Sequence, residues 1–137
     1  MRLRQWLPLT GIVICVFIFN MSEFIPIGLL TGIAEDFGIS ESSAGLIISM
    51  YAWAVAILSL PLILLLRKMA FNRMLVLCVL MFSVFQVLSG LSTDYFMLMA
   101  SRIGVAASHA VFWSIAAPVA LKTVEPRYSK VAIGMIT

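Results

Sequence analysis

The sequence predicts an all-α membrane protein that has four complete transmembrane helices and the start of a fifth. Apolar residues make up 63% of the 137 residues and charged residues only 11%, which is far from the balance of soluble domains. The apolar residues form runs of about 20 residues, the length that an α-helix needs to cross the hydrocarbon core. Between these runs, lysine and arginine occur only in alternate connections, as is typical of polytopic membrane proteins.

The first span is predicted at about residues 7–30 and is followed by an acidic connection. Trp6 precedes it as an aromatic anchor for the membrane interface. Near its end, Gly28 and Gly32 form a GxxxG spacing that predicts close helix packing. Residues 31–43 are predicted to connect it to the next helix, and serines in this connection are candidate N-caps.

Three further spans and a stub follow in the same way. The spans are predicted at about residues 44–66, 74–91 and 95–121, and the apolar run at 131–137 is too short to cross a bilayer. The third span carries few polar groups and is predicted to be peripheral. Small residues recur at every fourth position of the fourth span and predict a seam for another helix. They are Ala100, Gly104 and Ser108.

The distribution of basic residues predicts the orientation. They precede the first span and follow the second and fourth, whereas the segments after the first and third contain acids but no lysine or arginine. By the positive-inside rule, the N-terminus is therefore cytoplasmic. At about 1.5 Å per residue, Glu23 and Arg102 then each lie roughly 10 Å below the outer surface. The basic residues of these segments are Arg2, Arg4, Arg67, Lys68, Arg73, Lys122, Arg127 and Lys130.

The fourth span contains a polar stripe. At about 100° per residue, Arg102, Ala106, His109 and Trp113 fall on one face of the helix. Ionisable groups at membrane depth usually face a protein interior or a water-filled path, because lipid offers them no hydrogen bonds. This face is therefore predicted to line a cavity, and the alternative is an interhelical polar contact with no role in transport.

Glu23 places a second ionisable group inside a span, near Asn20 and one turn before Pro26. Because proline cannot donate to the carbonyl of Ser22, we expect a kink here and a freed carbonyl that needs a partner, which points this face inward. Glu23 and Arg102 share one level, so they either pair or find separate partners. In the second span, Tyr51 supplies a cavity hydroxyl or packs in the core, and both interpretations stay open.

Several function classes find no support in the sequence. Cys15 and Cys78 lie in separate apolar runs without a CxxC motif or a Cys/His cluster of metal spacing. There is no GxSxG, phosphate-binding glycine loop or GxGxxG motif, and the basic residues form no stripe for nucleic acid. We therefore expect no enzyme activity, no metal, no cofactor and no nucleic-acid partner.

Several stretches resemble the N-terminal third of a bacterial sugar efflux transporter. They are FIFNMSEFIPIGLL at residues 17–30, YAWAVA at 51–56, SRIGVA at 101–106 and HAVFWSI at 109–115. That family lies within the major facilitator superfamily, among its proton-coupled exporters of drugs and sugars. The resemblance implies a bacterial inner-membrane protein whose twelve helices form two six-helix halves, with a small-molecule substrate bound between the halves.

The resemblance also implies roles for the polar residues. The first and fourth helices of that fold line the central cavity, so we expect Glu23 to carry the proton, Arg102 to set its proton affinity, and His109 to be the alternative carrier. The Arg102 segment resembles the superfamily's fourth-helix proton-transfer motif, although its glycine comes sooner. The loop at residues 67–73 lacks the superfamily's glycine and acid-base pair. The expected substrate-cavity residues are Asn20, Tyr51 and Trp113.

These observations predict a chain that belongs to a proton antiporter for efflux of sugars or related small molecules. Its partners are then the substrate, protons and the lipid bilayer, while its oligomeric state is not predicted. Members of that family are much longer, so we expect an N-terminal portion that does not catalyse efflux alone. The alternatives are a dimeric four-helix multidrug exporter, with a glutamate in its first helix, and a truncated membrane remnant that transports nothing.

Overall fold

A computed structural model describes residues 3–136, and describes side chains from Trp6 onward. Within these residues the chain consists of α-helices and one short 3₁₀ turn at Pro126–Tyr128. Arg2, the side chain of Arg4 and Thr137, which entered the predictions, lie outside the described residues. The helices are α1 (Leu3–Gly28), α2 (Leu30–Phe37), α3 (Glu41–Leu66), α4 (Phe71–Gly90), α5 (Tyr95–Thr123) and α6 (Ser129–Gly134).

Four of these helices are long and apolar enough to cross a membrane, which confirms the predicted all-α membrane fold. The spanning segments are Trp6–Gly28, Glu41–Leu66, Phe71–Gly90 and Tyr95–Thr123. They begin up to three residues before the predicted bounds, because polar residues at the helix ends continue the helical hydrogen bonding. The predicted start of a fifth helix is α6, which packs against α5 and buries Ala132.

The connection after the first span is a helix, where the sequence analysis predicted a loop. α2 starts directly after Leu29 and packs against α3, with Ala34 buried between them. Its acidic residues Glu35 and Asp36 are exposed. Gly38 ends it with a φ of 62°, a left-handed conformation that glycine adopts without steric cost. The acidic segment is thus an amphipathic helix at the end of the membrane-spanning bundle.

Polar caps start two of the spanning helices. The Ser40 hydroxyl accepts from the Ser43 amide at 3.1 Å and starts α3. The Asp94 carboxylate accepts from the Met97 amide at 2.9 Å and starts α5 as its N-cap. These caps satisfy backbone donors that a helix terminus leaves without partners.

Helix α5 lies at the centre of the bundle. It packs against α1, α3, α4 and α6, and most of its residues from Ser101 to Ala120 are buried. Glycine permits the closest approach of a neighbour, since a Cβ at Gly104 would lie 2.3 Å from a ring carbon of Phe85 on α4. The predicted small-residue seam is therefore a groove for an aromatic ring. In contrast, close packing at Gly28 and Gly32 was predicted wrongly, because nothing among the described residues lies within 4 Å of a Cβ there.

An aromatic stack joins the helices beside the polar stripe. The ring of Phe19 on α1 stacks between Phe82 of α4 and Phe112 of α5, with centroid distances of 4.2 Å to each. Phe19 also contacts the edge of the His109 ring at 5.5 Å. This stack holds α1 against α5 at the level where the polar groups lie.

Candidate functional site

Arg102 joins the first and fourth spanning helices at the carbonyl of α1 that Pro26 leaves without a backbone donor. Its Nη2 donates to the carbonyl oxygen of Ser22 at 2.9 Å, and its Nη1 donates to the Ser22 hydroxyl at 3.3 Å. That carbonyl is the one that Pro26 cannot serve, because proline has no N–H. The sequence predicted that this freed carbonyl of Ser22 needs a hydrogen-bond donor. The donor is the guanidinium of Arg102, a residue that is only 5% exposed.

His109 is the centre of the second part of the site. Its ring is buried, and its Nδ1 lies 2.6 Å from the hydroxyl of Tyr51 on α3. On the other side of the ring, Nε2 accepts from the indole N–H of Trp113. The same Nε2 lies 3.4 Å from Oε2 of Glu23 on α1. His109 thus contacts a phenol, an indole and a carboxylate from three helices.

Tyr51 links the two parts of the site. Its ring lies under the guanidinium of Arg102, with 4.7 Å between Cζ and the ring centroid, and its hydroxyl contacts His109. A cation over an aromatic face is attracted by the ring quadrupole. Of the two interpretations left open for Tyr51, the structure shows both a buried ring and a hydroxyl within the polar cluster.

Of the two arrangements left open for Glu23 and Arg102, the structure shows separate partners. The sequence placed Glu23 and Arg102 at one level, but the Glu23 carboxylate lies beside His109, with 3.4 Å between Oε2 and Nε2, while Arg102 donates to Ser22. Counting residues along each helix gives the depth of Glu23 and Arg102 in the membrane. It does not give the distance between the two side chains across the bundle, because that distance depends on how α1 and α5 pack. The guanidinium Nε has no hydrogen-bond partner among the described residues.

A cavity adjoins these groups beside Pro26 of α1. It has a volume of about 210 Å³ and is lined by Glu23, Tyr51 and Arg102 together with apolar residues of α1 and α3. A larger cavity of about 510 Å³ lies between α1 and α4, and its lining includes Cys15 and Asn72 but no carboxylate or histidine. Unlike the larger cavity between α1 and α4, the smaller one has charged side chains of both signs in its lining.

The structure brings five of the six predicted site residues together and leaves one apart. Glu23, Arg102, His109, Tyr51 and Trp113 form one connected cluster of contacts. The amide of Asn20 instead donates to the Val16 carbonyl of its own helix at 2.9 Å. Asn20 therefore contributes no contact to the cluster in this conformation.

Two residues of α4, Gln86 and Ser89, belong to the network and were not predicted. The Ser22 hydroxyl donates to Oε1 of Gln86 on α4 at 3.1 Å, which extends the Arg102 network to a fourth helix. The span containing Gln86 was predicted to be peripheral because it has few polar groups. The spacing of residues in this span did indicate that one face of the helix is packed. That face carries Cys78, Phe82, Gln86 and Ser89. The Ser89 hydroxyl likewise pairs with Ser101 at 2.8 Å.

The residues present offer no metal site. Among the described residues, no group of three or more His, Cys, Asp or Glu side chains is placed to hold an ion. Glu23 and His109 alone are too few for a structural or catalytic metal.

The family follows from comparison with known proteins. A family model described as Major Facilitator Superfamily matches residues 12–137. The chain belongs to the major facilitator superfamily. Proteins of this superfamily carry small molecules across lipid bilayers, so the four spanning helices are those of a multi-pass membrane transporter. They correspond to the N-terminal part of the superfamily fold, and the polar cluster lies between the first and fourth spanning helices of this part.

Proposed function

We propose that these helices belong to a proton antiporter that exports sugars or related hydroxylated small molecules across the bacterial inner membrane, with the N-terminus in the cytoplasm. The observation that carries this proposal is the contact between the Glu23 carboxylate and the His109 ring at membrane depth, held between α1 and α5. An imidazole changes its charge near neutral pH, and carboxylates and imidazoles are the side chains that most often transfer protons in proteins. Their position at membrane depth makes a functional role the default expectation.

The exposure of the cluster supports a path for protons and substrate. The Glu23 side chain is 39% exposed, while His109 is 2% exposed. Glu23 therefore reaches the surface of the bundle, where a transporter of this superfamily holds its substrate, and His109 lies behind it. We propose that a proton entering at Glu23 passes to Nε2 of His109, which lies 3.4 Å from Oε2 of the carboxylate.

Arg102 is the fixed charge of the proposed mechanism. A guanidinium does not deprotonate in proteins, and its hydrogen bonds to Ser22 hold it in place beside Tyr51. It remains near Glu23 while the proton comes and goes, and a nearby positive charge favours the ionised carboxylate. A movement of α1 relative to α5 changes this attraction, which couples helix movement to proton release.

The substrate class rests on the resemblance and on the side chains that reach the surface. Trp113 is 38% exposed beside Glu23. An aromatic face packs on the apolar face of a sugar ring, and a carboxylate accepts hydrogen bonds from its hydroxyls. This combination suits a neutral hydroxylated molecule.

The proton role is tested with Glu23→Gln, which keeps the side-chain shape and removes the titration. The host is a twelve-helix superfamily member that carries this chain as its N-terminal part, reconstituted in proteoliposomes with a pH gradient. We expect uphill efflux of labelled sugar to fall at least about tenfold, while sugar exchange without a gradient persists, because loss of one essential proton-transfer group costs about 10² or more.

The matched control is Glu35→Gln, which removes an exposed carboxylate from α2. It should transport like the parent at equal protein level. Uphill efflux that survives Glu23→Gln undiminished would contradict the proposed role of Glu23. His109→Gln, assayed in parallel, then shows whether the histidine carries the proton alone.

A further inference from the structure

One nitrogen atom of His109 has two partners that it cannot serve in the same protonation state. Nε2 accepts from the indole N–H of Trp113, one turn along α5, and lies 3.4 Å from the carboxylate of Glu23 on α1. The indole N–H is a donor only and the ionised carboxylate is an acceptor only. The proton on Nε2 therefore decides which of the two is bound.

The contact with Trp113 defines the neutral state. For the indole to donate to Nε2, that nitrogen must carry a lone pair, so the ring proton is on Nδ1. Nδ1–H then donates to the Tyr51 oxygen at 2.6 Å. In this state the Glu23 carboxylate has no donor on His109, and its oxygens remain available to hydroxyl groups that enter from the exposed side.

Protonation of Nε2 reverses the arrangement. An imidazolium carries a hydrogen on each ring nitrogen, so Nε2–H repels the indole N–H and faces an acceptor. Glu23 Oε2 is already within 3.4 Å, and a charge-assisted hydrogen bond forms with a small side-chain movement. Nδ1–H keeps its contact with Tyr51, so the ring does not have to rotate.

The other groups around His109 do not offer an alternative acceptor. The titratable and charged side chains facing it are Glu23 from α1, Tyr51 from α3 and Arg102 from its own helix. α4 approaches through Phe82, which stacks on Phe19 and is apolar. Of these groups only Glu23 is a carboxylate.

We propose that Trp113 is a positioning residue that holds neutral His109 away from Glu23, so that a proton arriving at Nε2 exchanges Trp113 for Glu23 and displaces a hydroxylated substrate from the carboxylate. This inference rests on the proposed antiport and names the atom at which proton and substrate compete. Glu23 binds substrate hydroxyls while Trp113 occupies Nε2. Once the proton is bound, Glu23 is paired with the imidazolium and its substrate contacts are lost.

The test uses the fact that the chain contains a single histidine. The ring nitrogens of ¹⁵N-labelled chain in lipid nanodiscs give one unambiguous pair of NMR signals, which report both the tautomer and the titration. We expect the Nδ1–H tautomer at high pH. In Trp113→Phe the neutral ring loses its donor, so the titration moves to higher pH by about half to one unit. In Glu23→Gln the protonated ring loses its partner, and the titration moves to lower pH.

The matched control is Trp53→Phe, which replaces an exposed tryptophan of α3. It should titrate like the parent. An Nε2–H tautomer in the parent, or a Trp113→Phe titration identical to that of Trp53→Phe, would overturn the inference. If Trp113→Phe does not fold, as judged by lost helical circular dichroism, the parent's tautomer decides alone. The NMR measurement does not depend on transport, so it tests the role of Trp113 separately from the proposed antiport. If the NMR result overturns the inference while Glu23→Gln still abolishes uphill efflux, the role of Trp113 is excluded and the proposed antiport remains supported.

Discussion

At the residue scale, the Ser22 hydroxyl connects three helices through two hydrogen bonds. It accepts from Arg102 on α5 and donates to Gln86 on α4. The Ser22 side chain is buried, so water does not replace either bond when the hydroxyl is removed. The carbonyl oxygen of the same residue keeps its own bond to Arg102 in any variant at this position. The contribution of the hydroxyl can therefore be measured apart from that of the backbone.

We predict that Ser22→Ala lowers the free energy of unfolding by about 1–2 kcal/mol, because it leaves the Gln86 amide and one guanidinium nitrogen without a partner. Unfolding of the chain in mixed detergent micelles, followed by circular dichroism, measures this change. The control Ser83→Ala removes a hydroxyl that bonds only its own helix at Val79, and should change stability by less than about 0.5 kcal/mol. The double variant Ser22→Ala/Gln86→Leu should recover part of the loss, and a purely additive loss would argue against the Ser22–Gln86 bond.

The sequence was sufficient to predict most of the residues that belong to the site, but it was not sufficient to predict which of them contact each other. Intramembrane charge predicted that the Arg102–His109 face points inward, and the burial of both residues confirms this. The roles of Glu23, Arg102 and His109 in proton coupling stay predictions. The partner of Glu23 depended on the lateral packing of α1 on α5, which residue counting along each helix does not contain.

At the element scale, the packing of α4 on α5 depends on one glycine. We predict that Gly104→Ala destabilises the chain by about 1–3 kcal/mol, because the new methyl group would meet the ring of Phe85 at 2.3 Å. Thermal unfolding in micelles should show the loss, and Phe85→Leu in the same chain should restore part of it by making room.

The matched control is Gly45→Ala in α3, where an added methyl group meets nothing within 4 Å. This variant should be as stable as the parent or slightly more stable, since alanine favours a helix interior. Equal losses in Gly104→Ala and Gly45→Ala would show that the Phe85 contact does not limit the packing.

The spanning elements were predictable from hydropathy, while α2 was missed for a physical reason. A short amphipathic helix at the membrane surface mixes Ile33 and Phe37 with Glu35 and Asp36, so its average composition resembles that of a loop. Its helical state comes from packing on α3 and from the Gly38 cap, and tertiary contacts of this kind stabilise short helices that are marginal in isolation.

At the scale of the whole molecule, the orientation in the membrane can be tested directly. Single cysteines at Ser42 and Asn72, in a background with Cys15 and Cys78 changed to alanine, lie at exposed positions before or at the start of successive spans. In intact cells we predict that an impermeant maleimide labels position 42 and not position 72, because the positive-inside rule places the basic segment at residues 67–73, which runs into the start of α4, in the cytoplasm. Labelling of both positions after membrane permeabilisation is the control. The reverse pattern in intact cells would invert the proposed topology.

The bond between Arg102 and the Ser22 carbonyl also orders events during biosynthesis. While α1, α3 and α4 are entering the bilayer, the carbonyl opposite Pro26 lacks its later donor, because α5 has not yet been made. An arginine inside an inserting helix is costly, by up to about 2.5–3.5 kcal/mol at the helix centre on translocon scales and by less toward the ends, and Arg102 lies two turns inside α5. Once α5 is inserted, the guanidinium of Arg102 donates to the Ser22 carbonyl. This hydrogen bond offsets part of the cost of inserting the arginine. The carbonyl that Pro26 leaves free in α1 thereby favours the insertion of α5, and the bond between the two helices forms only after α5 has been translated.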